Sequence, residues 1–550
     1  MTDAPQTLSH ARHKARSARR LYPVLAAAEI GSARVRHVPV VIVGAGPVAL
    51  AMAAELANHR VPVVLLEKGR TSSDGSRAIC WSKRSLEICD RFGVAARMMS
   101  KGVTWNVGKV YTGSAPDPLY TFDLLPIKAQ KFPAFINLQQ YHAEEYLVDA
   151  LAGHPLVELR WGHEVVAVTR SSAGVTLGVR TGEGDFTLEA DYVIAADGCR
   201  STLRGLLGLD FEGRTFEDNF LIVDVRMDAP FPAERRFYFD APFNEGRTAL
   251  MHQQPDGIWR LDFQLGWDID RDAALSETNV SAKVRAMLGP DLPFEYEWIS
   301  LYTFQCRRMR RFVHDRVIFV GDAAHLVSPF GARGANSGLQ DVDNLGWKLA
   351  RVLRGEAPRA LLDSYDAERV YGADENLRNS TRATDFMTPK TPAARAFQQA
   401  VLQLAEKWPF ARALVNSGRL SVPSTLRRSA LVTADEAPFE TPGMSPGSVV
   451  LDAPVRCGGR DGWLSELLGG DFVCLVFGSA PPALPGIRTL TVGTEITDPD
   501  GLLAARYDAL PGTTYLVRPD QHVAARWRRF DTDAILRAWR RSLAHETPAG

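Results

Sequence analysis

The sequence predicts an α/β protein: a Rossmann-like dinucleotide-binding domain interrupted by a second, mainly β sheet and followed by a small C-terminal α/β module. Three observations carry this expectation. Residues 39–67, PVVIVGAGPVALAMAAELANHRVPVVLLE, read as strand, glycine turn, helix, second strand and terminal acid. Apolar strands recur at 192–196 and 316–320, and each runs straight into an aspartate turn, Asp197-Gly198 and Gly321-Asp322. Between them, residues 211–306 are strand-like and carry many aromatics, with few helical runs before Val280.

The 39–67 unit is a nucleotide phosphate cradle. Gly44 permits the turn, Gly46 lets the backbone approach a pyrophosphate, and Ala49 takes the third small position, where a Cβ still allows the helix to pack on the sheet. The helix N-terminus offers unpaired N–H groups and the positive end of its dipole to the phosphates. Glu67 ends the second strand, where a carboxylate accepts hydrogen bonds from an adenosine ribose. Glycines used only for tight turning would explain a bare GxGxxG, but the strands on both sides and the acid argue for a nucleotide.

Length and composition bound the rest. A chain of 550 residues suffices for two or three domains, and 45% hydrophobic with 23% charged residues is a soluble globular composition. Lys+Arg and Asp+Glu are both 64, so nothing in the charge balance suggests a nucleic-acid partner. Six cysteines without a CxxC or a metal-ligand spacing favour reduced thiols and a cytoplasmic location, and no metal site is expected. No apolar run approaches the roughly 18 residues that span a bilayer, so no membrane partner is expected. Residues 1–37 form a basic N-terminal extension; HARHKARSARR followed by the short LYPVLAAAEI makes a poor secretory signal and a better surface arm.

Taken in order, 38–210 is the first part of the nucleotide domain. Arg77 follows its second strand, 133–151 is a strand and then an amphipathic helix opened by Gln139 and Gln140, and a β-meander runs through 165–189. Residues 211–306 form the second sheet, and 307–422 return to the nucleotide domain and a helical region. There PFGARGANSGLQDVDNLGWKLA (329–350) opens a long helix with Gly331, Gly334 and Gly338, whose bare amides form a nest for negative charge. Residues 423–447 read as a linker rich in Pro, Thr and Ser, and 448–550 as the C-terminal module.

The 44–67 unit, Arg77, the Asp-Gly at 197–198 and the Gly-Asp at 321–322 together resemble the FAD-dependent aromatic hydroxylases, single-component flavoprotein monooxygenases of the para-hydroxybenzoate and phenol hydroxylase type. Length and the C-terminal module look closest to the 3-(3-hydroxyphenyl)propionate hydroxylase and polyketide hydroxylase branch; the segment YLVRPDQHVA (515–524) matches that branch's terminal strand pattern. The resemblance implies a Rossmann-like FAD-binding domain, an inserted mainly β substrate domain and a C-terminal thioredoxin-like module that lacks CxxC and hence thiol redox activity.

By the same resemblance, Gly44, Gly46 and Ala49 hold the FAD pyrophosphate, Glu67 the adenosine ribose, and Arg77 and Gln140 the middle of the cofactor. Asp197 and Gly198 lie near the pyrophosphate and help bind the nicotinamide donor, and Asp322 bonds the ribityl chain. Pro329 offers its carbonyl near the substrate, while the amides of Gly334, Ala335 and Asn336 face the flavin pyrimidine edge. The sequence departs from the family pattern at Ala49, at Ser76 where proline is common, and at Arg333 where glutamine is common, which puts a charge near the flavin.

The implied chemistry is hydroxylation of a phenolic or other activated ring by a flavin hydroperoxide, with NADH or NADPH and O₂ as co-substrates and a small aromatic compound as the partner. Monomer and homodimer both fit. A glycine-rich loop suits a flavin that moves between two positions. Four residues of the second sheet, Tyr302, His252, Tyr238 and Asp262, stand as candidates for the general base; Tyr302 is counted with Arg77 and Pro329 among the catalytic candidates. His325 is expected to satisfy backbone groups near the flavin instead. Two other readings compete: a related flavoenzyme performing epoxidation or oxidation of a non-phenolic substrate, and a non-enzymatic dinucleotide-binding protein.

Overall fold

The computed structural model describes residues 10–13, 20–73, 77–329, 331–415, 422–440 and 444–545. Its first sheet orders the strands Glu164–Arg170, Val175–Arg180, Asp185–Ala195, Arg36–Val43, Val63–Glu67 and Val157–Trp161, with Val317–Phe319 added beside Asp185–Ala195 and Val313–His314 paired to Val317–Phe319. The long strand Asp185–Ala195 joins two architectures. Its first half is the last member of the antiparallel meander, and it runs parallel both to Arg36–Val43 and, at 193–195, to Val317–Phe319. Val40, Val41, Ile42, Val193, Ile194, Val317 and Ile318 are completely buried, as strands covered on both faces must be.

This register decides where the motifs meet. Val43 pairs with Ala195, and Ala195 with Phe319, so three neighbouring parallel strands end side by side. The turns that follow them, at Gly44, Asp197 and Gly321, leave from one carboxyl edge, where open α/β sheets bind ligands. The helix Pro47–Asn58 covers the edge from one side, and the helix Gly334–Leu353 packs against it.

The second sheet has nine strands and runs in the order His10–His13, Glu295–Met309, Phe211–Arg226, Ile258–Gly266, Arg247–Gln253, Arg235–Ala241, Val107–Thr112 and Tyr120–Asp123, with His325–Leu326 beside Glu295–Met309. It therefore takes strands from well before residue 211, and Val107–Thr112 enters parallel to Arg235–Ala241. Its two faces differ. Leu221, Val223, Met251, Leu261, Phe263, Ile299 and Leu301 pack on Val280 and Val284 of the helix Glu277–Leu288, while the alternate residues look toward the nucleotide domain.

The chain beyond 422 is not a free linker. Leu426 N–H donates to Gly447 O (2.7 Å) and Thr433 N–H to Ala524 O (2.9 Å), so this stretch lies on the C-terminal module. That module is a seven-stranded mixed sheet in which Val473–Phe477 runs parallel to Arg488–Val492 on one side and antiparallel to Thr514–Val517 on the other. It docks on the helix Gly334–Leu353 through Trp347 and Phe472, whose rings meet edge to face at 5.6 Å. In the N-terminal extension, Tyr22 stacks on Trp161 at 4.3 Å and Glu29 pairs with Arg160 at 2.9 Å, so its later half is fastened to the nucleotide domain at these points while most of its residues stay exposed. Among the described residues no helix is long and apolar enough to cross a membrane.

Candidate functional site

One cleft of about 830 Å³ lies between the carboxyl edge of the first sheet and the inner face of the second, near the upper end of small-molecule sites. It is lined by Gly44, Gly46, Glu67, Arg77, Gln140, Asp197, Gly198, Asp322, Pro329, Gly334, Ala335, Asn336 and Tyr302, which the fold gathers from far-separated segments. Ala49 is the exception among the expected site residues. It is completely buried in the core, where its methyl group lies in the helix–sheet contact, and it does not line the cleft.

The glycine turn is built for close approach. Gly44 has φ +111°, and a Cβ there would stand 2.5 Å from Ala196 O, so no other residue fits between the two strand ends. A Cβ on Gly46 would meet nothing within 4 Å, because that side faces the open cleft. No side chain caps the helix that Gly46 begins, which leaves its first amides available to an anion. Glu67 braces the turn, accepting from Ala45 N–H at 2.9 Å and Gly69 N–H at 2.6 Å.

Gln140 opens the helix Gln140–Leu151 and holds the chain next to Arg77: its Oε1 accepts from Ala78 N–H (3.1 Å) and its Nε2 donates to Ser73 Oγ (3.0 Å). Arg77 is exposed within the cleft and acts electrostatically on Asp322 and on Cys199. Ser76 lies outside the described residues.

Asp197 caps the helix Thr202–Leu206, accepting from Leu203 N–H at 3.1 Å, and its Oδ1 is left buried without a partner. Burial raises its carboxyl above the ordinary value against these hydrogen bonds. Asp322 opens onto the cleft, and the protein walls around the opening desolvate its carboxyl and raise it, with His325 and Arg77 pulling the other way.

The second glycine-rich loop is fastened by Asn336. Its Oδ1 accepts from Ser82 N–H (3.0 Å) and its Nδ2 donates to Cys80 O (2.9 Å), locking the start of the helix Gly334–Leu353 to the strand Cys80–Ser82. No side chain caps this helix either. Pro329 lines the cleft while its carbonyl closes a turn by accepting from Ala332 N–H at 3.0 Å.

Several expectations need correction. Gly338 is not part of the amide nest: it lies inside the helix, and a Cβ there would meet Val48 Cγ2 at 2.5 Å, so glycine serves helix packing. Arg333 lines the cleft, but its guanidinium is buried and donates to Asn376 Oδ1 at 2.9 Å. His325 does not bond backbone through its Nε2, which meets Asp341 Oδ2 at 2.7 Å; Arg369 shares the same carboxylate. Burial would raise Asp341, but its contacts with His325 and Arg369 hold its carboxyl below the ordinary range. Tyr238 points to the outer face of the second sheet, stacked on Tyr111 at 5.0 Å, and is removed as a base candidate.

Of the other candidates for the base, Tyr302, His252 and Asp262 do line the cleft, together with Arg235 and Arg260, which the sequence reading missed. The signal was present in 259–265, WRLDFQL, where Arg260, Asp262 and Gln264 alternate with apolar residues. An alternation places all three polar groups on one face of the strand.

The cleft fits FAD on features of this chain alone: a turn that a Cβ would fill, two uncapped helix starts facing one space, and an orphaned Asp197 oxygen beside them. Comparison with known proteins agrees. Residues 37–380 match the family model described as "FAD binding domain". A flavin-dependent monooxygenase of Mycobacteroides abscessus is 32% identical, over 88% of this chain and 96% of the relative. The 12-dehydrotetracycline 5-monooxygenase/anhydrotetracycline 6-monooxygenase of Streptomyces rimosus is 30% identical, over 88% of this chain and 94% of its own. Among solved structures, the flavin-dependent monooxygenase PieE with FAD and substrate has a TM-score of 0.77 at 23% identity, covering 93% of this chain and 99% of that one, which shows a shared fold. The chain belongs to the FAD-binding-domain family, and within it to the FAD-dependent monooxygenases of the aromatic hydroxylase type.

Proposed function

We propose that this enzyme uses NADH or NADPH and O₂ to hydroxylate a phenolic or other electron-rich ring held against the inner face of the second sheet. The observation that carries the reading is the convergence of three parallel strand ends and two uncapped helix starts on one cleft whose opposite wall is a polar sheet face. FAD, when bound, would supply the electron transfer from the nicotinamide and the activation of oxygen.

The chain's own task is binding and exclusion of water. The turn at Gly44 to Gly46 and the uncapped start of the helix Pro47–Asn58 would receive the pyrophosphate, Glu67 the adenosine ribose, Asp322 the ribityl chain, and the amides of Gly334, Ala335 and Asn336 the pyrimidine edge. Arg77, set by Gln140, would bring positive charge to the middle of the cofactor, and Asp197 with Gly198 would border the nicotinamide entry. Pro329 and Tyr302 would border the ring. Phe220, Leu250 and Phe304 add an apolar wall, which keeps water from the reacting centre.

The same reading divides the chain into an N-terminal extension at 1–37, an FAD-binding domain in two parts at 38–210 and 307–422, a substrate sheet built on 211–306 that also takes Val107–Thr112 and Tyr120–Asp123, and a thioredoxin-like module at 448–550 with the segment before it laid on it. It takes the protein as a cytoplasmic monomer or homodimer.

The test is oxygen-dependent NADH and NADPH consumption by the yellow protein against substituted phenols, phenylpropionates and polycyclic phenols, counting H₂O₂ and hydroxylated product together. Product matching the nicotinamide consumed is the expected result for at least one ring. Consumption that all appears as H₂O₂ with every ring would overturn it in favour of another flavin chemistry.

A further inference from the structure

The wall of the cleft formed by the second sheet carries more unsatisfied polar atoms than a cleft wall serving only as packing would. Cross-strand pairing sets the residues in rows: His252 opposite Arg260 and Arg260 opposite Asp224, then Leu250 opposite Asp262 and Asp262 opposite Ile222, then Phe220 opposite Tyr302. Arg260 is satisfied, since Asp224 takes its Nε at 2.7 Å and its Nη2 at 2.8 Å. The residues around it are not. Both ring nitrogens of His252, Asp262 Oδ1 and Arg235 Nε are buried without a hydrogen-bond partner, although all three side chains line the cleft.

Arg235 is the least compensated of them. It is 4% exposed and lies over the rings of Phe237 and Trp105 at 5.0 and 5.8 Å. Its Nη1 reaches Cys80 Sγ at 4.0 Å. Among the described residues no carboxylate pairs with it. A buried guanidinium without an acid is costly, and a ligand oxygen bearing negative charge would supply what is missing. Asp262 lies close to His252, whose Nε2 is 3.9 Å from its Oδ2, beyond hydrogen-bond range. The gap leaves the Asp262 carboxyl without a hydrogen bond from His252, and its Oδ1 has no other donor among the described residues.

We propose that Asp262 is the proton acceptor for an acidic hydroxyl of the aromatic substrate and that Arg235 holds the resulting oxyanion; this rests on the reading that the ring occupies this cleft. The substrate O–H bond breaks, its proton passes to Asp262 Oδ1 to give the carboxylic acid, and the electron pair stays on the substrate oxygen beside the Arg235 guanidinium. No redox partner is needed for this step. The electrostatics choose Asp262 over its neighbours. Burial, followed by Arg235 and Arg260, drives the His252 imidazole well below its ordinary value, so it is neutral and a weak base. Burial raises the Asp262 carboxyl to about 6 against the pull of Arg260 and Arg235, close to the value a base working near neutrality needs. The other groups on the surrounding strands are Asp224, Tyr302 and Cys80; burial raises the Cys80 thiol and leaves it protonated.

The test needs no turnover. 4-Nitrophenol, whose phenolate absorbs in the visible, is added to the FAD-loaded enzyme without NADH at a pH where the free probe is mostly neutral, and the difference spectrum is read. The expected result is bound phenolate at roughly tenfold or more over the free probe at that pH. The unsubstituted enzyme is expected to keep the proton on Asp262 and release little to solvent, read with a pH indicator dye, Asp262→Asn to release a proton for each phenolate bound, and Arg235→Gln to lose the spectral shift together with most of the affinity. Binding of the neutral phenol by the unsubstituted enzyme, equal proton release by the unsubstituted enzyme and Asp262→Asn, or no binding at millimolar probe would each overturn the assignment. Failure of hydroxylation with the ring panel would instead overturn the broader reading, because that experiment depends on NADH and oxygen and this one does not.

Discussion

At the scale of single residues, the site is a set of polar groups that the protein leaves without internal partners. Asp322 follows a completely buried strand, yet its carboxyl opens onto the cleft. Asp322→Ala should purify with little flavin, read as the ratio of visible to protein absorbance; full occupancy would remove Asp322 from the cofactor site. Arg77 is exposed in the same space and is held by backbone neighbours that Gln140 fixes. Arg77→Ala is therefore expected to keep FAD but to reduce it more slowly or to couple NADH use poorly to product, measured by stopped-flow absorbance and H₂O₂ yield. Unchanged reduction and coupling would mean that Arg77 touches neither ligand. Asp262 predicts a pH dependence. Its carboxyl must be ionised to accept a proton, so kcat/KM should rise as pH climbs through about 6, and Asp262→Asn should flatten that limb.

At the scale of elements, the first sheet sets positions and the two glycine-rich helices meet over it. Gly338 shows how tightly. A methyl carbon at this position would stand only 3.2 Å from Gly321 Cα and closer still to Val48, and its absence lets the helix Gly334–Leu353 lie on the turn that presents Asp322. Gly338→Ala would push Val48 or the Gly321 turn away and is expected to cost about 1–3 kcal/mol by overpacking, with weaker FAD retention, measured by urea unfolding and flavin release. Ordinary stability and full flavin would show that the contact relaxes freely. The second sheet divides its labour by strand alternation: one face packs on the helix Glu277–Leu288 and the other carries Arg235, His252 and Asp262 toward the cleft.

At the scale of the whole molecule, the C-terminal module is tied to the nucleotide domain by a buried ionic network. Glu368 accepts from Arg518 Nη1 at 2.7 Å and Nη2 at 2.9 Å and from Lys348 Nζ at 2.7 Å, and all three side chains are almost wholly buried. Burial would raise the Glu368 carboxyl, but Arg518 and Lys348 outweigh it and hold it far below the ordinary carboxylate range. A depressed carboxylate stabilises the fold at pH above its unfolded value, and that contribution fades as pH falls below it toward the folded value. Glu368→Gln should destabilise by about 3–5 kcal/mol, because buried Arg518 is left with Asp520 alone and buried Lys348 loses its ion pair. It should also reduce the acid sensitivity of unfolding, measured by urea titrations at neutral and acid pH. An unchanged midpoint at neutral pH would show that Asp520, which also pairs with Arg518, suffices.

The sequence alone determined the nucleotide cradle, the aspartate turns at 197 and 322 and the second sheet as a separate body, because each is a local pattern: a glycine at a forced turn, an acid at a strand end, an alternation of period two. The same local logic misplaced Gly338 and His325. A glycine that admits a neighbouring helix and a histidine that pairs with Asp341 depend on groups brought from elsewhere in the chain. Only the tertiary structure decided that Tyr238 faces away, that 107–112 and 120–123 join the second sheet, and that Arg235, His252 and Asp262 share one space. Which face of a sheet meets the cofactor depends on strand register and sheet packing, and those are set by long-range burial that no short segment encodes.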